Sequence, residues 1–238
     1  MRRRPKIALE SLDIFRELRP AERKPLAARC EWRDYLPSQT IVCAGDATDC
    51  VFLLASGHAR ASIYSTAGQE IMLRDIRAGE MFSEITPIDG RPRRAHIVAT
   101  RRSTVATLPA GVLWEIIRRE PQVATLVLQR LARLVRMLSD RIYAVNALSV
   151  RERVLAELRL LAEPTAAEGG RAVIDPAPTH LDMAGRVVAK RETVSREMAQ
   201  LARAGVIERR GRKLVIPDLA RLRTGAAAVL AAMASAPL

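Results

Sequence analysis

The stretch between Arg186 and Lys213 holds the side chains best suited to chemistry. Nine Lys or Arg (186, 190, 191, 196, 203, 209, 210, 212 and 213) stand there against three Glu (192, 197 and 208), a net +6 in 28 residues. Such a local excess of cations suits a polyanion. Lys190, Arg209, Arg210, Arg212 and Lys213 are placed to contact phosphates, which adds salt-sensitive affinity without sequence information. Arg191, Glu192 and Arg196 fall at i, i+1 and i+5, on the exposed side of a helix near its N-terminus, with Val194, Met198 and Leu201 opposite. From that position an arginine can grip guanine through two hydrogen bonds, and a glutamate can accept from the cytosine amino group. Each such contact is worth about 1–3 kcal/mol of discrimination. The plainer alternative is a solvated i,i+4 pair of Glu192 with Arg196.

These side chains need elements to hold them. Thr179 to Leu201 reads as two helical patterns with a short break, and Gly205 stops the second. Residues 206–216 read as a hairpin with Arg210-Gly211 near its tip. Helix, turn, helix and basic hairpin make a winged helix-turn-helix. Before it, 151–163 is an amphipathic helix, and Pro164 to Pro178 is loop-rich with a strand at Arg171–Ile174. Further upstream, Leu128, Leu131, Val135, Leu138, Ile142 and Val145 follow at steps of 3 and 4, with Arg130, Arg133, Arg136, Asp140 and Arg141 mostly off the seam. β-Branched residues at a with Leu at d favour a parallel two-stranded coiled coil, hence a homodimer. The alternative is a helix packed on its own domain. Residues 30–112 read as short strands between turns at Gly45-Asp46, Ser56-Gly57 and Ala67-Gly68, an antiparallel sandwich or barrel. Short helical segments precede it from Ser11 to Cys30, with Pro20 at a helix start, and Ala110 to Glu115 opens another helix.

Hydrophobic content of 49% and charged content of 27% belong to a soluble globular chain, long enough at 238 residues for two modest domains. The net charge of +13 favours nucleic acid first and an anionic membrane surface second; a genome-wide preference for Arg would spread that charge evenly instead. Cys30, Cys43 and Cys50 lack close metal or redox spacing and read as reduced thiols of a cytoplasmic protein. Lys6, Glu10 and Asp13 interrupt any leader after Arg2-Arg3-Arg4, and the run Ala226 to Met233 is far too short to span a bilayer. No metal, haem or iron–sulfur cluster is expected: His58, His96 and His180 are isolated, and no N-terminal Cys cluster exists. No Ser/His/Asp set or GxxxxGK[ST] loop supports an enzyme.

Arg191-Glu192-Thr193-Val194-Ser195-Arg196, after Thr179-His180-Leu181-Asp182-Met183-Ala184, resembles the recognition helix-turn-helix of the cyclic-AMP receptor protein (Crp–Fnr) family. Gly45-Asp46, Ser56-Gly57, Gly68 and Gly79-Glu80 resemble that family's β-roll turns, and the heptad helix its dimer helix. The resemblance implies that Arg191, Glu192 and Arg196 read a TGTGA-like half-site twice, as a palindrome, with RNA polymerase as a partner. Two positions depart from the family's pattern. Val188 stands where a small residue is usual, so the turn is expected to adjust or the alignment to slip by one. Lys190 replaces a Ser-type N-cap, which forfeits roughly 0.5–2 kcal/mol of capping.

The segment Ser83 to Ala95 resembles the family's phosphate-binding cassette. A cyclic nucleotide needs a cation for its phosphate, backbone donors around it and an acceptor for the ribose hydroxyl. The resemblance gives Arg93 the phosphate and Glu84 the ribose. Ser83 stands where Gly is usual, Arg94 where Ser or Thr is usual, and Leu138 where the family has Thr against adenine. Ser139 matches the Ser that reaches the partner's nucleotide. Cyclic AMP is the implied effector. Cyclic GMP or cyclic di-GMP, a vestigial pocket with another trigger, or a plain Glu84–Arg93 ion pair closing a turn are the other readings.

The expected architecture is α+β: a cyclic-nucleotide-binding-type β-roll (1–120), a long dimerisation helix (121–148), a winged helix-turn-helix DNA-binding domain (149–220) and an Ala-rich tail (221–238). The expected function is that of a sequence-specific transcription regulator, a homodimer on double-stranded DNA controlled by a small effector. A cyclic-nucleotide-binding module acting on a protein partner is the main rival.

Overall fold

The computed structural model describes residues 12–16, 18–167 and 169–222; the Ala-rich run Ala226–Met233 and the N-terminal arginines fall outside them. The chain divides into two compact units, residues up to 133 and residues from 134.

In the first unit, helices α1 (Asp13–Arg16) and α2 (Pro20–Ala28) precede eight strands: β1 (Glu31–Tyr35), β2 (Thr40–Val42), β3 (Cys50–Ser56), β4 (His58–Tyr64), β5 (Glu70–Arg77), β6 (Met81–Phe82), β7 (His96–Ala99) and β8 (Ser103–Pro109). Pro20 opens α2 as expected, where its missing N–H costs nothing. The strands form two antiparallel four-stranded sheets, ordered β1-β8-β3-β6 and β2-β7-β4-β5. The first sheet is covered on both faces, which explains the unbroken apolar run Val51–Ala55. Val51, Leu53 and Ala55 pack with Leu12, Ile14, Leu113 and Val123 on the helical side. Phe52 and Leu54 face the roll interior with Ile76, Phe82 and Ile97. The turn at Gly57 admits no side chain: its φ is +90, and a Cβ would lie 2.3 Å from the Arg102 carbonyl oxygen. A five-residue helix, α3 (Ile85–Asp89), interrupts the strands, and α4 (Ala110–Arg119) follows them.

Helix α5 (Pro121–Ala147) contains the division between the units. The division at 133/134 differs from the expected boundaries at 120 and 148, because the first half of the helix buries Val123 and Val127 in the core of the first unit. Leu131 also packs against that core, so this member of the seam is shared with its own unit. Leu128, Val135, Leu138, Ile142 and Val145 are exposed.

The second unit continues with α6 (Val150–Ala162), β9 (Ala172–Ile174), α7 (His180–Val187), α8 (Arg191–Arg203), β10 (Glu208–Arg210) and β11 (Lys213–Ile216). Ser149 caps α6 through a reciprocal box with Glu152. The strands form an antiparallel sheet in the order β10-β11-β9. Arg210 pairs with Lys213, so the hairpin turns on Gly211-Arg212, one residue beyond the expected tip; Gly211 supplies the positive φ of +60. The core joins Val154, Leu155 and Leu158 of α6 to Met183, Val187, Val194, Met198 and Leu201 of the two following helices, and to Ile174, Leu214 and Ile216 of the sheet.

Candidate DNA-reading and effector sites

Thr179 caps α7: its hydroxyl accepts from the Asp182 amide at 3.0 Å, and its own amide donates to the Asp182 carboxylate at 3.1 Å. The helix ends at Val188, which takes φ 50, ψ 62. The turn therefore does not adjust around the β-branched side chain. Val188 itself adopts the left-handed conformation, which costs an L-residue about 1–2 kcal/mol. The Ala184 carbonyl closes the turn, accepting from the amides of Val188 and, at 3.1 Å, Ala189. Lys190 then starts α8 at φ −70, ψ 141 with no side-chain cap, as its residue type predicts. His180 Nδ1 and the Ser195 hydroxyl, 2.8 Å apart, tie the two helices together.

Val194, Met198 and Leu201 are buried, and Lys190, Arg191, Glu192 and Arg196 are exposed. None of these four exposed side chains makes a hydrogen bond or ion pair among the described residues, so the Glu192–Arg196 pair does not form. In the wing, Arg209 and Arg212 are equally uncommitted. Arg210 holds Glu208 at 2.7 Å and Lys213 holds Asp175 at 3.2 Å, both exposed pairs of the kind worth little in water. The helix-turn-helix thus presents an open, cationic face with one carboxylate in it.

Two arginines of α5 were legible in the sequence only as charges off the seam. In the second unit, Arg141 Nη2 donates to the carbonyls of Gly185 and Arg186, each at 3.1 Å. Arg186 pairs with Glu157 of α6 at 2.9 Å. In the first unit, Arg130 is buried and its Nε donates to Glu84 Oε1 at 2.7 Å. That contact belongs to the cassette.

The cassette places Ser83 in the left-handed region, φ 62, where the family's Gly would sit without strain. Glu84 is 2% exposed and precedes the single turn of α3. Its partner is Arg130 rather than Arg93, and Arg130 also lies 3.5 Å from Glu80, whose carboxylate takes Arg74 at 2.5 Å. The simple Glu84–Arg93 pair is therefore not what closes the turn. Arg93, 3% exposed, donates from Nη2 to the carbonyls of Thr48 (2.8 Å) and Cys50 (2.6 Å), from Nε to the Thr48 hydroxyl (3.0 Å), and from Nη1 to the Ser83 carbonyl (3.1 Å) and hydroxyl. Its guanidinium lies 5.0 Å from the Phe52 ring centroid. Burial pushes the Cys50 thiol up, with the neighbouring Arg93 opposing. A cavity of about 360 Å³ lies beside these same residues, lined by Trp32, Tyr35, Thr48, Cys50 and Phe52 among others, without Glu84 or Arg93 in its wall. Arg94 is exposed and stands apart from the Arg93 network. Leu138 and Ser139 belong to the second unit; Leu138 is exposed, and the Ser139 hydroxyl donates to the Val135 carbonyl at 3.0 Å.

A roll with a cassette, followed by a long helix and a winged helix-turn-helix, defines the class, and comparison with known proteins bears it out. Residues 32–120 match the cyclic nucleotide-binding domain, and residues 129–224 match the Crp-like helix-turn-helix domain. The chain is similar to the cyclic AMP receptor protein of Thermus thermophilus, 30% identical over 197 residues that span 82% of this chain and 87% of the relative. It is also similar to a CRP-like cAMP-activated global transcriptional regulator of Mycobacterium tuberculosis, 25% identical over 88% of this chain and 94% of that one. Among solved structures, the c-di-GMP responsive global regulator CLP of Xanthomonas campestris shares the fold with a TM-score of 0.73 at 16% identity, covering 81% of this chain and 96% of that one. The chain belongs to the Crp family of transcription regulators, with a cyclic nucleotide-binding domain joined to a DNA-binding helix-turn-helix. Among the described residues, no helix is long and apolar enough to cross a membrane.

Proposed function

We infer that this chain is a cytoplasmic homodimer that reads a TGTGA-like palindrome under the control of cyclic AMP and meets RNA polymerase at its promoters. The observation that carries the DNA half is the open face of Arg191, Glu192 and Arg196 at the start of α8, committed to no partner among the described residues. Lys190, Arg209, Arg210 and Arg212 supply phosphate contacts around it. The exposed seam of Leu128, Val135, Leu138, Ile142 and Val145 supports a parallel dimer, since large apolar residues at heptad spacing gain by covering one another. Two recognition helices would then meet half-sites one DNA turn apart. A selection from random duplexes tests this: a palindrome with TGTGA-like arms is expected, and enrichment of an unrelated or non-symmetric site overturns the assigned bases.

Cyclic AMP is favoured by the names of both sequence relatives. The residue types fit the ligand: Arg93 for the phosphate, Glu84 for the ribose hydroxyl, and Ser83 and Arg94 beside them. Arg93 and Glu84 must each exchange partners to serve. A phosphate on Arg93 would take over donors now given to Thr48, Cys50 and Ser83, and a ribose on Glu84 would compete with Arg130. That same self-satisfaction favours a second reading, in which the pocket is vestigial and another signal, or none, sets activity. Trp114 reports on the cassette directly, because its indole N–H donates to the Pro87 carbonyl of α3 at 3.0 Å. Titration with cyclic AMP should give heat and a change in Trp fluorescence, both lost in Arg93→Ala. Absence of both in the wild type would decide for the vestigial pocket. Cyclic GMP and cyclic di-GMP are titrated alongside.

A further inference from the structure

We propose that Arg141 is the positioning residue through which helix α5 sets the recognition helix for DNA. The last carbonyls of a helix lack intrahelical partners, and their dipoles favour a cation. At the end of α7, Ala184 is satisfied by the turn itself, while the next two carbonyls, Gly185 and Arg186, accept from one guanidinium nitrogen of Arg141 at 3.1 Å each. The clamp grips the turn immediately before Val188, the residue held in the left-handed conformation, and α8 begins three residues later. A turn with an unfavourable backbone at its centre depends on outside contacts to keep it, and this one is gripped from α5. Burial pushes the Arg141 guanidinium down from its ordinary value, opposed by the charge of Glu157 and reinforced by that of Arg186. Glu157 pairs with Arg186 at 2.9 Å, both side chains mostly buried, so α5, α6 and α7 meet at a single Arg–Glu–Arg cluster. Arg141 itself is half-buried, with Glu157 and Arg186 as its charged neighbours. It acts on DNA through the placement of Arg191, Glu192 and Arg196, which need positional accuracy to reach base edges.

The proposal rests on the DNA-reading assignment, and the test separates the two. The full-length wild type is first selected on a random double-stranded library; if no site is enriched, the DNA-reading assignment itself falls before Arg141 is altered. Binding to the selected duplex and to a scrambled duplex is then measured by fluorescence anisotropy across a range of salt. Arg141→Met removes both bonds and should weaken the selected duplex roughly 10-fold while leaving the scrambled one within twofold. The slope of log affinity against log salt should not change, because no phosphate contact is lost. Arg141→Lys, a single-point donor, should lose less. Arg141→Met combined with Val188→Gly should recover part of the loss, since glycine holds the turn without the clamp. Equal weakening on both duplexes would mean that Arg141 only supports folding, and a slope shallower by about one would mean that it touches phosphate. Either result overturns the proposal, as would unchanged specific binding. If Arg141→Met does not fold, Arg141→Lys and the double variant carry the same comparison.

Discussion

The two charged sites use the same residue types in opposite ways. In the first unit, Glu84 and Arg93 are almost fully buried and both are held by protein partners. In the second, Arg191, Glu192 and Arg196 are exposed and unpaired among the described residues. The difference fits the size of what each site is proposed to meet. A duplex is too large to enter a protein, so its readers must wait in water, where an unpaired charge costs little. A small effector would be taken into a buried site, where an unpaired charge is costly, so the charges there are paired within the protein. Effector binding in such a pocket is an exchange of partners, and its strength is the difference between two sets of contacts. DNA binding would add contacts to groups that hold none among the described residues.

The sharpest way to break this comparison is to remove a partner from the buried site. Arg130→Met leaves Glu84 without its counterion, and breaking a buried pair from one side costs about 3–5 kcal/mol. Trp32 and Trp114, the chain's two tryptophans, both lie in the first unit, so urea unfolding followed by Trp fluorescence reads that unit alone. Arg130→Met should lower its midpoint strongly, and adding Glu84→Leu should restore most of the loss. If the double variant is as unstable as the single one, the loss comes from packing rather than from the stranded charge.

On the exposed side the effect moves from stability to recognition. Arg191→Ala should leave the unfolding of both units unchanged and lose about 1–3 kcal/mol of preference at one base pair. Arg212→Ala in the wing should weaken all sequences alike and make the salt slope shallower by about 0.9. Arg191→Ala with unaltered base preference would remove that residue from direct readout.

This contrast also explains what the sequence could tell. The exposed placement of Arg191, Glu192 and Arg196 was legible because it is defined by local spacing on one helix, and Val194, Met198 and Leu201 mark the opposite, buried face. The roll was legible from the spacing of its turns, and α5 from its heptad seam. Glu84 and Arg93 were legible as a resemblance, but their partners were not. Arg130 is 46 residues from Glu84 in sequence, beyond β7, β8 and α4, and Thr48 and Cys50 offer backbone carbonyls, which any residue type supplies. Arg141 was hidden for the same reason: it grips the carbonyls of Gly185 and Arg186, so nothing in the side chains of its partners signals the contact. Val188 was recognised as a misfit, yet its spacing alone did not tell whether the turn or the residue would yield. The buried core around Val187 and Ala189 holds the turn in place, and the residue takes the strain.

Smaller effects test how far the DNA-reading unit gives up stability for its surface. Val188→Gly relieves a left-handed β-branched residue but loosens the unfolded chain, a net gain of about 1 kcal/mol. It should appear as slower hydrogen exchange in α7 and α8 with the Trp-reported unit unchanged; faster exchange there would mean that the valine side chain contributes more by packing than it costs in backbone strain.

Lys190→Ser is the finest probe, because stability and binding should move in opposite directions at one position. The backbone of Lys190 already has the extended conformation of an N-cap, and only a side-chain acceptor is lacking. A serine there can accept from the amide of Glu192 or Thr193 and gain about 0.5–1 kcal/mol. Exchange of those two amides should slow. The same change removes an exposed cation at the rim of the reading face, so affinity should fall alike on selected and scrambled duplexes, with a salt slope shallower by about 0.9. Slower exchange with undiminished affinity would take Lys190 out of the phosphate set. Reduced affinity without slower exchange would mean that the start of α8 is already held by its neighbours, by the His180–Ser195 contact first of all.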